Sequence, residues 1–390
     1  MLLLNDLSPE RFAAALAEAA GAGAAEARKL FSAIHGCHRR SLWRGEGVPA
    51  LGSVRGVRRP VLDAVLARGT LPRLGKLGAV TAPDGFTRYL FACPDGARIE
   101  AVRIPLPCAA PGADPPARLR ERPHYVVCLS SQVGCALGCA FCATGRMGFS
   151  RDLAVWEIVE QLRWVRAEAD RPVRGVVFMG MGEPLQNYDR VMAAAQILSA
   201  PHGAAIAADR ITISTAGVVP AIRRFTAEGR PYRLAVSLGA ATPGKRLRVM
   251  PVERTSPLPE LLAALREHQA RRGGRVTLAW VAIDGFNVAA EDASELAQLC
   301  RGLPVRVDLI DVNDPRGRFR PPPAAVLSEF RAALAPLGPV ARRYSGGREV
   351  NAACGMLAAN PVETDLPAPP DARGGVARPS PELPRALIRP

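Results

Sequence analysis

A chain of 390 residues with 48% hydrophobic side chains can bury a large core, as one main domain with one or two smaller units. Its formal charge of +15 is carried almost wholly by arginine, since Lys29, Lys76 and Lys245 are the only lysines; the surplus favours a polyanionic partner, RNA or DNA first, although a GC-rich coding sequence would also enrich arginine. Met1 to Pro9 lack the basic and apolar regions of a signal peptide, no stretch offers ~20 uninterrupted apolar residues, and nine cysteines then argue against a disulfide framework and for metal or redox chemistry in a reducing, cytoplasmic setting.

The elements begin with helices. Ser8-Pro9-Glu10-Arg11 reads as a cap with proline in the first turn, followed by an Ala-rich amphipathic run. A second helix is expected over Ala24–His35 and a third over Pro60–Ala67. Arg39, Arg40, Arg44, Arg55, Arg58 and Arg59 recur here, so residues 1–80 form a small helical unit suited to RNA contact, or simply a solvated basic face. Arg88–Cys93 and Arg98–Ile104 read as strands around the turn Pro94-Asp95-Gly96, and a Pro/Ala-rich connector follows to residue 123.

Strands and helices then alternate. Strands are expected over Tyr125–Leu129, Val173–Met179, Ile211–Ser214, Leu234–Leu238, Val276–Ile283 and Val305–Ile310. Helices are expected over Ala154–Glu168, Asp189–Leu198, Val218–Glu228, Pro257–Arg271, Ala289–Cys300 and Ala324–Leu334. The alternation implies an α/β fold with a parallel sheet, wound open or curled into a partial barrel over residues 124–358, with its chemistry at the C-terminal strand ends. Residues 359–390 are Pro-rich and read as a disordered tail.

The motif that carries chemistry follows the first of these strands: Gly134-Cys135-Ala-Leu-Gly-Cys139-Ala-Phe-Cys142. Three close thiolates can hold three irons of a 4Fe–4S cube and leave the fourth for a small molecule bearing an amine and a carboxylate. Gly134 and Gly138 would let the loop wrap closely. A zinc site ordinarily wants paired C-x2-C ligands, and no second such pair exists. The remaining alternative is a chance grouping of three cysteines in a buried strand and loop. The histidines show no metal spacing, and His35 and His38 read as a solvated or capping pair.

The block from Cys128 through Gly-Cys135, Cys139 and Cys142 to Phe149 resembles the radical S-adenosylmethionine (SAM) rRNA adenine methyltransferases, the RlmN/Cfr family. Further blocks match in order: Gly180-Met-Gly182-Glu183-Pro, Ile211-Thr-Ile-Ser214-Thr-Ala-Gly, Leu234-Ala-Val-Ser237-Leu238, and Ala352-Ala-Cys354-Gly. The resemblance spans about residues 5 to 358. It implies a partial (β/α)6 radical SAM barrel with a small N-terminal helical domain and a β-hairpin extension.

It also implies an activity, methylation of an adenine ring carbon, C2 or in one branch C8, of rRNA or tRNA. Those carbons are electron-poor, so methyl-cation transfer fails and a carbon radical is needed. By the resemblance, one SAM methylates Cys354, and a second SAM is cleaved at the cluster to a radical that activates this methyl group. Cys128 then releases the base through a transient disulfide with Cys354, Glu100 accepts the proton, and an external donor such as flavodoxin supplies electrons. Cys135, Cys139 and Cys142 would ligate the cluster; Gly182, Glu183, Ser214, Ser237, Leu238, Gly239 and Asn313 would contact SAM. Without the resemblance, Cys128 could be a core cysteine, Glu100 a hairpin surface carboxylate, and Ser214, Ser237 and Asn313 strand-end caps. Cys37, Cys93, Cys108 and Cys300 match no motif and read as structural.

The chain departs from the family pattern at Gly239, where the family carries histidine, and at Met356, where glutamine is common. These departures suggest a diverged member. They leave open the alternative of a radical SAM methyltransferase acting on another nucleobase or a protein.

Overall fold

The computed structural model describes residues 2–36, 51–106 and 123–359. Cys37, His38, Cys108, the arginines at 39, 40 and 44, most of the Pro/Ala-rich connector and the tail from residue 360 lie outside them.

The N-terminal unit is built on helices α1 (Pro9–Ala20), α2 (Ala24–His35) and α3 (Arg59–Arg68). The Ser8 hydroxyl caps α1 by accepting from the Arg11 amide, and Gly21 ends it in the left-handed region at φ 58°. Strand β1 (Leu2–Leu3) pairs in parallel with β2 (Gly69–Thr70). Phe12, Leu16, Leu30, Phe31, Ile34, Val61 and Val65 bury their side chains in the same core cluster as the main sheet. The unit is also pinned to the barrel by Asp6, whose carboxylate accepts from the Trp156 amide at 2.9 Å. His35 corrects the solvated reading: its ring packs on Phe31 at 4.5 Å between centroids, and its Nε2 is buried without a partner among the described residues.

The main body is one ten-stranded sheet. Strands β3 (Gly75–Thr81), β4 (Thr87–Ala92), β5 (Arg98–Leu106) and β6 (His124–Cys128) run antiparallel in turn. A short antiparallel ribbon, β7 (Gln132–Gly134) and β8 (Phe149–Asp152), brackets helix α4 (Ala143–Arg146). Then α5 (Val155–Glu168), β9 (Val173–Phe178), α6 (Tyr188–Ser199), β10 (Ile211–Thr215), α7 (Val219–Ala227) and β11 (Arg233–Ser237) follow. Helices α8 (Pro243–Val249) and α9 (Leu258–Arg272) lead to β12 (Val276–Ala282), α10 (Ala290–Leu299), β13 (Val305–Asp311), α11 (Ala324–Leu334) and β14 (Val340–Arg343).

The strand order is β14-β13-β12-β11-β10-β9-β6-β5-β4-β3, with every pairing from β6 to β14 parallel. The parallel strands are near-continuous apolar runs because helices cover them, as parallel sheets require. The sheet curls until its two ends meet. Asp84, in the β3–β4 turn, accepts from the Tyr344 hydroxyl at 3.0 Å and the Gly347 amide at 2.8 Å, both just beyond β14.

Two strands of the main sheet depart from the sequence reading, which also lacks the short pairs β1–β2 and β7–β8. β14 adds a seventh parallel strand; Val340-Ala-Arg-Arg is a short, charged edge strand that shows no apolar run. β3 lies within the stretch read as helical and extends the hairpin to three strands, its two glycines and a bulge between Lys76 and Gly78 hiding the alternation.

Candidate active site

The cysteine loop leaves β6 at the C-terminal mouth of the barrel. Gly134 sits at φ 74°, and a Cβ there would lie 1.8 Å from the Gly148 carbonyl oxygen, so only glycine lets the ribbon close. The Cys135 amide donates to that same carbonyl at 2.8 Å. The Cys142 amide donates to the Cys139 carbonyl at 3.0 Å, and the Ala140 amide to Val249 at the end of α8 at 2.9 Å. Leu137, Cys139 and Phe141 pack on a small apolar cluster of Val249, Met250, Val252, Ile283 and Val312.

Burial pushes the Cys135 thiol up to about 12, and the nearby Glu183 and Cys142 add to this. Burial also raises Cys139, followed by its neighbours Cys142 and Cys135. The three thiols are thus neighbours, yet among the described residues no three Cys, His, Asp or Glu side chains close on one point as a single metal ion requires. Three neighbouring thiols on one loop can each give a sulfur to a different iron of a cluster.

The Gly180-Met181-Gly182 turn after β9 packs hard against the chain leading into this loop. A Cβ on Gly180 would meet the Leu129 carbonyl at 2.6 Å, and one on Gly182 would meet Gln132 at 2.5 Å. Glu183 is buried, and its carboxylate accepts from the Ala216 amide at 2.8 Å and the Leu185 amide at 3.0 Å. Burial raises its pKa, with those amides opposing. Ser214 and Ser237 lie half-buried at the ends of β10 and β11. Leu238 is fully buried, and Gly239 turns at φ 71° with its carbonyl accepting from the Asn287 side chain at 2.8 Å. A Cβ on Gly239 would lie 2.6 Å from the Met250 sulfur, so that space is already filled.

The C-terminal segment brings Cys354 back across the mouth. Ser345 accepts from the Cys354 amide at 3.1 Å and from the Asn313 side chain at 3.0 Å. Asn313 also donates to the Cys354 carbonyl at 3.2 Å, while its Oδ1 is buried without a partner among the described residues. The Ala143 amide, next to Cys142, donates to Gly355 at 2.7 Å, and the Thr144 hydroxyl to Leu357 at 2.6 Å. Cys354 is exposed and Cys128 buried, and burial with the nearness of Cys354 raises the Cys128 thiol. The described cysteines are all free thiols, and Cys93 and Cys300 lie in the core.

Glu100, in β5, corrects the surface-hairpin alternative. It is fully buried and ion-paired with Arg88 at 2.7 Å, and its other oxygen accepts from the Ala358 amide at 3.1 Å. Burial raises its pKa while Arg88 opposes. The sequence therefore brings Cys128, Cys354, Glu100, the cysteine loop and the strand-end residues to one mouth. Arg88, Gln132 and Ser345 were missed. Arg88 was readable from the hairpin register, because it lies opposite Val102, diagonal to Glu100. Gln132 and Ser345 carry no local signal.

Comparison with known proteins agrees with this geometry. Residues 129–299 match the radical SAM superfamily. A probable RNA methyltransferase of Myxococcus xanthus is 50% identical, covering 95% of this chain and 98% of that protein. A dual-specificity RNA methyltransferase RlmN of Syntrophobacter fumaroxidans is 39% identical over 85% of this chain and 91% of its own. The crystal structure of a radical SAM methyltransferase from Sphaerobacter thermophilus superposes with a TM-score of 0.78 at 36% identity, over 92% of this chain and all of that one. With relatives at 39% and 50% identity covered over nearly their whole length and a superposition along nearly the whole chain, the chain belongs to the radical SAM RNA methyltransferases of the RlmN type.

Proposed function

We propose that this enzyme methylates an adenine ring carbon of rRNA, tRNA or both, C2 foremost and C8 as the alternative, through S-methylcysteine at Cys354. The observation that carries the reading is the placement of Cys354 at the mouth beside Cys128, with Glu100 bonded to the same returning segment at Ala358. Cys135, Cys139 and Cys142 would hold a 4Fe–4S cluster. When bound, it supplies the electron that cleaves SAM, drawn from an external donor such as flavodoxin. Gly182, Glu183, Ser214, Ser237, Leu238, Gly239 and Asn313 lie at or just beyond the ends of β9, β10, β11 and β13, where one SAM would lie. The unpartnered Oδ1 of Asn313 offers an acceptor to a SAM hydroxyl or ammonium group.

Two SAM molecules serve each turnover, one to methylate Cys354 and one to activate that methyl group. Cys354 presents the activated methyl carbon to the ring and stays bonded to it. Glu100 takes the ring proton, with Arg88 favouring its ionised form against burial. Cys128 then attacks the Cys354 sulfur as its thiolate, the sulfur–carbon bond breaks with its electron pair going to the base-bound carbon, which takes a proton to become the methyl group, and a transient disulfide forms. We further assign residues 1–80 as an RNA-contacting unit, residues 81–123 as hairpin and connector, residues 124–358 as the catalytic barrel and residues 359–390 as a tail. We place the enzyme in the cytoplasm; among the described residues no helix is long and apolar enough to cross a membrane.

Mass spectrometry of digested rRNA and tRNA from a deletion strain tests the reading. Loss of one methyladenosine supports it and names the site and ring carbon, whereas an unchanged nucleoside profile removes adenine in these RNAs as the acceptor. Cys354→Ala should abolish turnover, and Cys128→Ala should accumulate a covalent protein–RNA adduct. Full activity in the first, or no adduct in the second, contradicts the cysteine roles.

A further inference from the structure

We propose that Arg146 and Arg318, paired on the buried carboxylate of Asp314, grip a backbone phosphate of the RNA beside the nucleotide entering the mouth together with the exposed Arg316 of the same turn. The proposal rests on the RNA-methyltransferase reading and specifies how that substrate is held.

Asp314 follows Asn313 at the end of β13, and its side chain is fully buried. One oxygen lies 3.3 Å from Arg146 and the other 3.4 Å from Arg318. The same carboxylate accepts from the backbone amides of Arg316 and Arg318, each at 3.2 Å, folding Asp314-Pro-Arg-Gly-Arg into a tight turn through Gly317 at φ 67°. Arg318 also donates to the Ala140 carbonyl at 2.7 Å, between Cys139 and Cys142. The turn is therefore fastened to the cysteine loop, and Asn313 fastens the same strand end to Cys354.

One carboxylate needs one guanidinium, and here two share it, with a third, that of Arg316, exposed in the same turn. The surplus is two positive charges at one place on the surface, Arg146 coming from α4 and Arg316 and Arg318 from the turn. A structural ion pair gains nothing from that crowding. An anion arriving between the guanidiniums would relieve it, and phosphate suits planar forks that donate in pairs. Arg316 and Arg318 are exposed, and the Arg316 side chain has no hydrogen-bond or ion-pair partner among the described residues. The site thus faces solvent outside the barrel, where a polymer backbone passes, rather than inside, where SAM would lie. Next to Arg146, Met147 and Phe149 are 44% and 48% exposed. Exposed apolar faces between arginines are the surface on which unstacked bases rest. Acting beside the reacting centre without touching it, the three arginines are positioning residues.

The test uses reconstituted holoenzyme and a fluorescently labelled RNA containing the adenosine mapped as above, with affinity measured across a salt series. Arg316→Gln is the first variant because its side chain supports nothing else in the fold, and Arg316→Gln/Arg318→Gln the second. Losing one phosphate contact should weaken binding on the order of tenfold and reduce the slope of log K against log salt by roughly one. KM for RNA should rise while kcat at saturating RNA stays within about twofold, with Arg316→Lys restoring part of the affinity. Iron content and RNA-independent methylation of Cys354 should match wild type. Wild-type affinity and slope in both variants would overturn the clamp. So would affinity loss that only tracks a loss of iron or of Cys354 methylation, which would make the turn structural. Failure of the wild-type enzyme to bind RNA would instead remove the RNA reading, and the clamp with it.

Discussion

Replacing Arg88 by Met isolates the electrostatics of the proposed proton acceptor. The pair is buried, with the Glu100 side chain at 0% exposure, the Arg88 side chain at 6% and 2.7 Å between them. Met keeps most of the volume and removes the cation. Loss of an opposite charge at this range raises a carboxyl pKa by roughly 1–3 units. At about 1.4 kcal/mol per unit, this is roughly 1.4–4 kcal/mol, overlapping the ~3–5 kcal/mol expected for breaking a buried pair from one side. The sign follows from the direction of the shift. Glu100 is already held above its ordinary pKa by burial, with Arg88 opposing, and the variant moves it higher. A folded pKa above the unfolded value means that protonation favours the fold, so the deficit relative to wild type is smallest below about pH 4.3 and grows as pH rises through the raised pKa. Urea midpoints at a series of pH values from about 5 to 8 read this directly. The acid limb of RNA methylation should move up by roughly 1–3 units, because the base form appears later. Adding Glu100→Gln to Arg88→Met should recover much of the stability while leaving the enzyme inactive. A deficit that does not change with pH, together with an unmoved acid limb, would refute the idea that Arg88 holds this carboxylate ionised.

Gly134→Ala should block cluster assembly, because its Cβ would overlap the Gly148 carbonyl that receives the Cys135 amide; iron and sulfide per chain should fall sharply, and wild-type content would show that the ribbon tolerates a side chain. Gly239→His, which restores the residue usual in the family, should cost about 1–3 kcal/mol here from its left-handed backbone and the Met250 sulfur in its way, read as a lower urea midpoint. His268 is buried against Phe225, with its Nδ1 2.8 Å from the Thr226 hydroxyl, and burial, then Arg272, lowers its pKa. Its neutral form favours the fold, so stability should decline as pH falls below about 6.5; NMR titration should find the lowered value, and His268→Phe should flatten that decline.

The sequence by itself determined what depends on spacing and periodicity. The interval Cys135-x3-Cys139-x2-Cys142 and its glycines are local, and a loop that must wrap a cluster needs them whatever surrounds it. The six apolar strands and their helices were legible because parallel strands buried on both faces leave continuous Val/Ile/Leu runs. Edge strands were not: β14 carries two arginines and β3 two glycines, because an edge is only half covered and needs no apolar run. The brace of Ser345 on Cys354 and the pairing of Arg146 and Arg318 on Asp314 were decided by tertiary structure alone. Ser345 meets Asn313 across 32 residues, and Arg146 meets Asp314 across 168. No local pattern encodes such distances. They follow from the curl of the sheet, which turns the ends of well-separated strands toward one mouth and makes neighbours of residues whose types alone would read as caps, turns or solvated charge.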